Sequence, residues 1–153
     1  MRHVRPERTG WRCEKISSRH RQWGYNCPAV DLDFMVAEYN YGKPVALIEY
    51  KDKHAQPPDF THPTYKALVA LADGYAGGPI PCLIAIYCPD LWWFRVIGLN
   101  EAAKSYYQHV VDSYLTEKRF VRSLYLLRKN TLSQEDEAAI SKLNDVLPEH
   151  IAA

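Results

Sequence analysis

Four side chains in the first third of the chain stand out for their chemistry: Asp31, Asp33, Glu49 and Lys51. Each lies in a stretch that otherwise reads as a β-strand. Val30, Leu32, Phe34 and Val36 alternate with Asp31, Asp33, Met35 and Ala37, and Pro44 to Lys51 is mainly apolar until Glu49. Successive strand residues point to opposite faces, so Glu49 and Lys51 share a face with Val45 and Leu47, and Asp31 and Asp33 share a face of their own strand. Charges projecting from a sheet centre are costly unless they are paired or bind a metal. Facing carboxylates, roughly 5 Å apart between Cβ atoms, repel unless a cation lies between them. Hard oxygen ligands suit Mg²⁺ or Mn²⁺, with water and a substrate phosphate completing the shell, and the Tyr50 carbonyl is a candidate further ligand. Lys51 beside such an ion would orient or help deprotonate a water and offset phosphate charge. That combination suits hydrolysis of a phosphodiester.

The turn between the two strands decides which residues face each other. Asn40-Tyr41-Gly42-Lys43 is a turn signal. A three-residue loop, Asn40-Tyr41-Gly42, would put Gly42 at the left-handed position of a bulge and pair Tyr39 with Lys43. Paired residue numbers would then sum to 82, setting Asp33 opposite Glu49 and Asp31 opposite Lys51. A two-residue loop, Tyr41-Gly42, would shift the sum to 83 and place Phe34 opposite Glu49. The glycine favours the first register, which ranks Asp33 above Asp31 as the principal metal ligand.

The elements beyond the hairpin follow from periodicity and punctuation. Pro57, Pro58 and Pro63 mark a loop, followed by a helix over about Thr64 to Tyr75 that carries Leu68, Leu71 and Ala72 and ends at Gly77-Gly78-Pro79. Cys82 to Cys88 is continuously apolar, the pattern of a strand covered on both faces. Trp92 to Ile97 reads as another strand, with two of its three leading aromatics expected in the core. Asn100 caps a helix predicted to reach about Ser113. Glu117 to Arg128 is an amphipathic helix, with Phe120, Leu124 and Leu127 on one side and Lys118, Arg119, Arg122 and Arg128 solvated on the other. A last helix is capped at Ser133, with Asp136 completing a capping box. The fold class is α/β, a mixed central sheet flanked by helices. The expected organisation is a basic N-terminal segment at 1–28, an α/β core at 29–113 and a C-terminal helical extension of the same domain at 114–153.

Composition narrows the function classes. The chain has 153 residues, 47% hydrophobic and 24% charged, the balance of one ordinary globular domain. No apolar run approaches the roughly 18 residues of a membrane span, and the polar start lacks a secretory leader. Cytoplasmic residence with reduced thiols is therefore expected, and Cys82 and Cys88 read as small core residues. The cysteines lack paired zinc-ligand spacing. The net charge of +1 conceals an asymmetry: residues 1–30 hold seven basic side chains against two acidic ones, a net of +5, which leaves −4 on the remaining 123. Arg19, His20 and Arg21 in this segment, and Lys53 just after the second strand, are candidate contacts to a phosphate backbone. The competing reading makes the arginines anchors for a loop. His54 reads as a loop histidine.

Asp33, a turn and Glu49-Tyr50-Lys51 closing an apolar strand resemble the D…(D/E)-x-K motif of the PD-(D/E)XK nuclease superfamily. The likeness covers about residues 28–90. Arg19-His20-Arg21-x-Trp23-Gly24 followed by Cys27-Pro28-Ala29-Val30-Asp31-Leu32-Asp33 is also similar to uncharacterised phage and bacterial proteins usually assigned to that superfamily. The resemblance implies a restriction-endonuclease-like core and a Mg²⁺- or Mn²⁺-dependent nuclease, with Asp33 and Glu49 as metal ligands and Lys51 as the catalytic lysine. It implies DNA as the partner, without excluding RNA, and leaves room for a homodimer or a protein partner. The sequence departs from the pattern at Pro28, which two residues separate from Asp31, and the strand expected before the hairpin is not evident. Three other readings stand beside it. One is an inactive nuclease-fold module that binds nucleic acid or a protein, as a phage defence or anti-defence factor would. Another is an interaction or assembly protein whose tyrosine-rich surface, drawn from 11 Tyr, binds another chain. The third is a plain cross-strand salt bridge among the four charged residues.

Overall fold

The computed structural model describes Arg19, Gln22 and residues 34–38, 42–110, 114–128 and 131–149. The chain divides into two units, Met1–Asp31 and Leu32–Ala153, and every element named below belongs to the second. These are β1 (Phe34–Glu38), β2 (Lys43–Asp52), α1 (Pro63–Asp73), β3 (Cys82–Tyr87), β4 (Trp93–Gly98), α2 (Glu101–Tyr106), a 3₁₀ turn (Gln108–Val110), β5 (Tyr114–Thr116), α3 (Glu117–Arg128) and α4 (Gln134–Ser141). The strands form one sheet in the order β1-β2-β3-β4-β5. β2 and β3 run parallel, and the other neighbours are antiparallel. This is the mixed, helix-flanked α/β sheet expected from the sequence. Among the described residues, no helix is long and apolar enough to cross a membrane.

The apolar run of β2 is continuous because both its faces are covered. Ala46, Leu47 and Ile48 are essentially inaccessible. On one face Leu47, Cys82 and Ile84 meet the stripe Tyr65, Leu68 and Ala72 of α1, the helix that joins the parallel strands. On the other face Ile48, Leu83, Ala85 and Phe94 pack against Ala103, Tyr107 and Phe120 from α2, its C-cap and α3. The Phe94 and Phe120 rings stack with centroids 4.2 Å apart.

Over Phe34 to Val36 the hairpin register is the predicted one. Phe34 pairs with Ile48, Met35 with Leu47 and Val36 with Ala46, each summing to 82, so the 83 alternative is excluded over these pairs. Nearer the turn the expected Tyr39–Lys43 pair is replaced by Glu38–Lys43, because the ladder shifts between Val36 and Ala37. The irregularity lies beside Pro44, which has no N–H for a regular ladder and is tolerated at a bulge. Gly42 does take the left-handed backbone, with φ +62°.

Three further elements differ from expectation. Trp92 does not start β4. It has φ +51°, donates its N–H to the Cys88 carbonyl at 2.8 Å and stays half-exposed, while Trp93 and Phe94 are buried. The helix after Asn100 stops at Tyr106 rather than Ser113. β5, unforeseen because three residues are too few to show a period, then adds Leu115 to the core. The capping box at Ser133 and Asp136 forms with both of its arms.

Candidate functional site

Glu49 sits in the carboxyl-terminal half of β2, where its parallel neighbour on β3 is Ile84; Lys51 follows with Ile86 as its neighbour. Strand alternation sends both side chains to the face that carries α1. Burial of Glu49 is nearly complete, at 7% exposure, whereas Lys51 is half-buried. Burial pushes the Cys82 thiol up to about 11, with the negative charges of Asp73 and Glu49 adding to it. The Glu49 charge is thus felt within the core, and Cys82 stays a thiol at neutral pH.

Both residues open on a cleft of about 300 Å³. Its other walls are the crossover loop Gln56, Pro57, Pro58 and Asp59, together with His62, Thr64 and Tyr65 at the start of α1. Local hydrogen bonds shape this rim. Asp59 Oδ1 accepts from the Thr61 N–H at 3.0 Å and from the Thr61 hydroxyl at 2.6 Å, and these bonds hold its carboxyl below the usual carboxylate range. His62 caps α1, its Nδ1 accepting the Thr64 N–H at 3.2 Å, and Pro63 follows at the first helical position. With Nδ1 used as an acceptor, the neutral ring carries its proton on Nε2.

The sequence-derived candidates are distributed as follows. Glu49 and Lys51 are brought together in the cleft. The Tyr50 side chain points to the opposite face, its ring edge-on to Phe34 at 4.9 Å, to Phe120 at 6.2 Å and to Tyr87 at 6.3 Å, so only its backbone is available to the Glu49 side. Exposed Lys53 has its ammonium 5.6 Å from the centre of the Trp93 ring, a cation–π contact, and its N–H bonds to the Tyr87 carbonyl. Asp31, Asp33, His20 and Arg21 lie outside the described residues; Arg19 is an exposed helical position of the N-terminal unit. His54 is exposed and outside the cleft. Among the described residues, no three His, Cys, Asp or Glu side chains cluster closely enough to hold a metal ion.

Sequence reasoning passed over Asp59, His62 and Thr64. The signals were present: Asp59-x-Thr61 is a side-chain-to-backbone turn, and His62-Pro63 pairs a cap with a first-turn proline. What brings them to Glu49 is the crossover from β2 to α1, which no local period reports. The basic side of α3, expected to be solvated, is partly occupied by carboxylates. Arg122 forms a two-bond pair with Glu137 at 2.6 and 2.9 Å, Lys118 lies 3.9 Å from Asp145, and Arg128 lies 3.4 Å from Glu38.

Compared with protein-family models, with curated proteins and with solved structures, the chain matches none.

Proposed function

We propose that the chain is a metal-dependent nuclease that hydrolyses phosphodiester bonds in DNA in the cytoplasm, a member of the PD-(D/E)XK type. The observation that carries this reading is a nearly buried Glu49 and a Lys51 two residues on, lining one polar cleft at the carboxyl end of a strand in a parallel pair. Ligands of open α/β sheets bind outside the carboxyl ends of strands. A buried acid beside a cation in a cleft is also the combination that marks functional sites. The pairs from Phe34 to Val36 keep the 82 register, the register from which the sequence leads us to expect a second acid, Asp33, across from Glu49.

The oxygen donors on offer suit Mg²⁺ or Mn²⁺. Glu49 and Asp33 would hold the ion, with Asp31 and the Tyr50 carbonyl as further oxygens. Bound there, such an ion supplies positive charge for the phosphate and a more acidic water. Lys51 orients the attacking water and offsets the charge that develops on the phosphoryl oxygens. Arg19, His20, Arg21 and Lys53 are the basic side chains that would contact the nucleic-acid backbone. The free, buried Cys82 and Cys88 accord with a reducing compartment.

The test is incubation with supercoiled, linear and single-stranded DNA in Mg²⁺ and in Mn²⁺, with Glu49→Ala in parallel. Cleavage by the wild type that vanishes in the variant is the expected result. Wild type and variant behaving alike on every substrate would remove the nuclease and leave a binding module.

A further inference from the structure

Beside the polar cleft lies a second, larger concavity of a different character. Among the described residues, α1 is the helix that packs on the Glu49 face of the sheet. Between the flank of α1 and the end of β4 runs a groove of about 630 Å³, lined by Phe60, Tyr65, Lys66, Val69, Ile97 and Leu99 among others. Tyr65 lines both the groove and the cleft, so the two are neighbours on the same face. Phe60 is 49% exposed, and its ring is tilted by 40° against Tyr65 with centroids 6.4 Å apart. It stands at the rim as a free aromatic face instead of filling the core. Lys66, exposed on the first turns of α1, adds a cation to an otherwise apolar lining.

We infer that this groove takes an unpaired nucleobase of the strand whose phosphate lies at Glu49 and Lys51, stacked on Phe60. The inference rests on the nuclease reading for the phosphate, but the groove itself supplies the chemistry of the occupant. Its walls are apolar and aromatic, which suits the π-face of a base and not a phosphate. Its adjacency to the cleft at Tyr65 lets one strand place a base in the groove and a phosphate beside Lys51. Lys66 at the rim complements the next phosphate. A base inside a duplex has both faces stacked on its neighbours and its edge paired, so it cannot reach Phe60 without being taken out of the stack. The substrate class is therefore DNA with an unpaired nucleotide at the scissile bond: a single strand, a frayed end or a flap.

The experiment measures binding and cleavage separately on the full chain. Fluorescence anisotropy in EDTA follows a labelled single-stranded oligonucleotide and a fully paired blunt duplex of equal length, with wild type, Phe60→Ala, Phe60→Trp and Glu49→Ala. Cleavage of both DNAs is then followed in Mg²⁺. Phe60→Ala is expected to weaken single-strand binding by roughly 5- to 150-fold, the range that the loss of one base–aromatic stack produces, and to leave duplex binding unchanged. Phe60→Trp is expected to restore it. Single-strand binding that Phe60→Ala does not change, or an equal loss on both DNAs, overturns the groove. If Phe60 controls single-strand binding but no protein cleaves, the groove stands and the nuclease falls. If cleavage depends on Glu49 but nothing depends on Phe60, the nuclease stands and the groove falls. No binding to either DNA removes the groove.

Discussion

At the amino end of β3, the Asn100 side chain has every hydrogen-bonding position filled. Its Oδ1 accepts from the Cys82 and Ala103 N–H groups, each at 3.0 Å, and its Nδ2 donates to Asp73 at 2.9 Å and to the Ile80 carbonyl at 2.8 Å. At the carboxyl end of β2, Glu49 is almost as inaccessible, 7% against 4% exposed for Asn100. Yet its surroundings are a cleft walled by a proline-bearing loop and a half-buried lysine. The first polar group ties α1, β3 and α2 into one corner with no room for anything else. The second keeps a charge at the edge of the interior, facing a space a ligand can enter. Burial alone therefore does not separate a structural polar residue from a functional one; the difference is that one is enclosed in the interior and the other borders a cleft.

Substitution at each end can break this contrast. Glu49→Gln keeps the shape and removes the charge, so cleavage should fall by on the order of 10²–10³-fold or more, while the melting temperature falls less than in Asn100→Ala because the amide still accepts hydrogen bonds. A melting temperature that falls as far as in the Asn100 variant would make Glu49 structural and erase the distinction. Asn100→Ala removes a helix cap and orphans buried partners, so urea unfolding should show a loss of roughly 2–4 kcal/mol with an unchanged slope. Among molecules still folded, its cleavage per molecule should match the wild type.

Alkaline titration sharpens the picture of the closed interior. Burial pushes the Tyr107 hydroxyl up to about 12, despite its 2.9 Å hydrogen bond with Ser123. The unfolded chain ionises this phenol near its ordinary value of 10, so the folded state holds the proton more tightly over the interval between the two. The associated stability is fully present below pH 10 and is lost as the pH rises towards 12, on the order of 2–3 kcal/mol. Cys82, raised from 9.0 to about 11, acts in the same direction over a lower window. Thermal melts from pH 8 to 12 should therefore fall steadily from about pH 9. Tyr107→Phe should flatten the upper part of that fall; a Tyr107→Phe profile that superimposes on the wild type would refute the assignment.

Much of this architecture was legible before any coordinates. β2 and β3 are continuous apolar runs because both faces of each are covered, α3 spans the residues its stripe predicted, and Gly42 pointed to the register that governs Phe34 to Val36. The shift beside Pro44 was hidden because a bulge alters pairing without altering composition. Asn100 was readable as a cap, but its bonds to Asp73, Ile80 and Cys82 join residues 18 to 27 positions away. Likewise Glu49 and Lys51 announced themselves by type and spacing, whereas Asp59 and His62 joined them only through the crossover.

The edges of the sheet carry a last consequence, for how copies of the chain meet. Its outer strands, among the described residues, are a five-residue β1 interrupted by a shift and a three-residue β5. Short or bulged borders make poor templates for a strand from another molecule. The shift beside Pro44 thus works against edge-to-edge addition of a strand at β1. If two copies associate, that border favours a meeting through helices or loops over strand pairing.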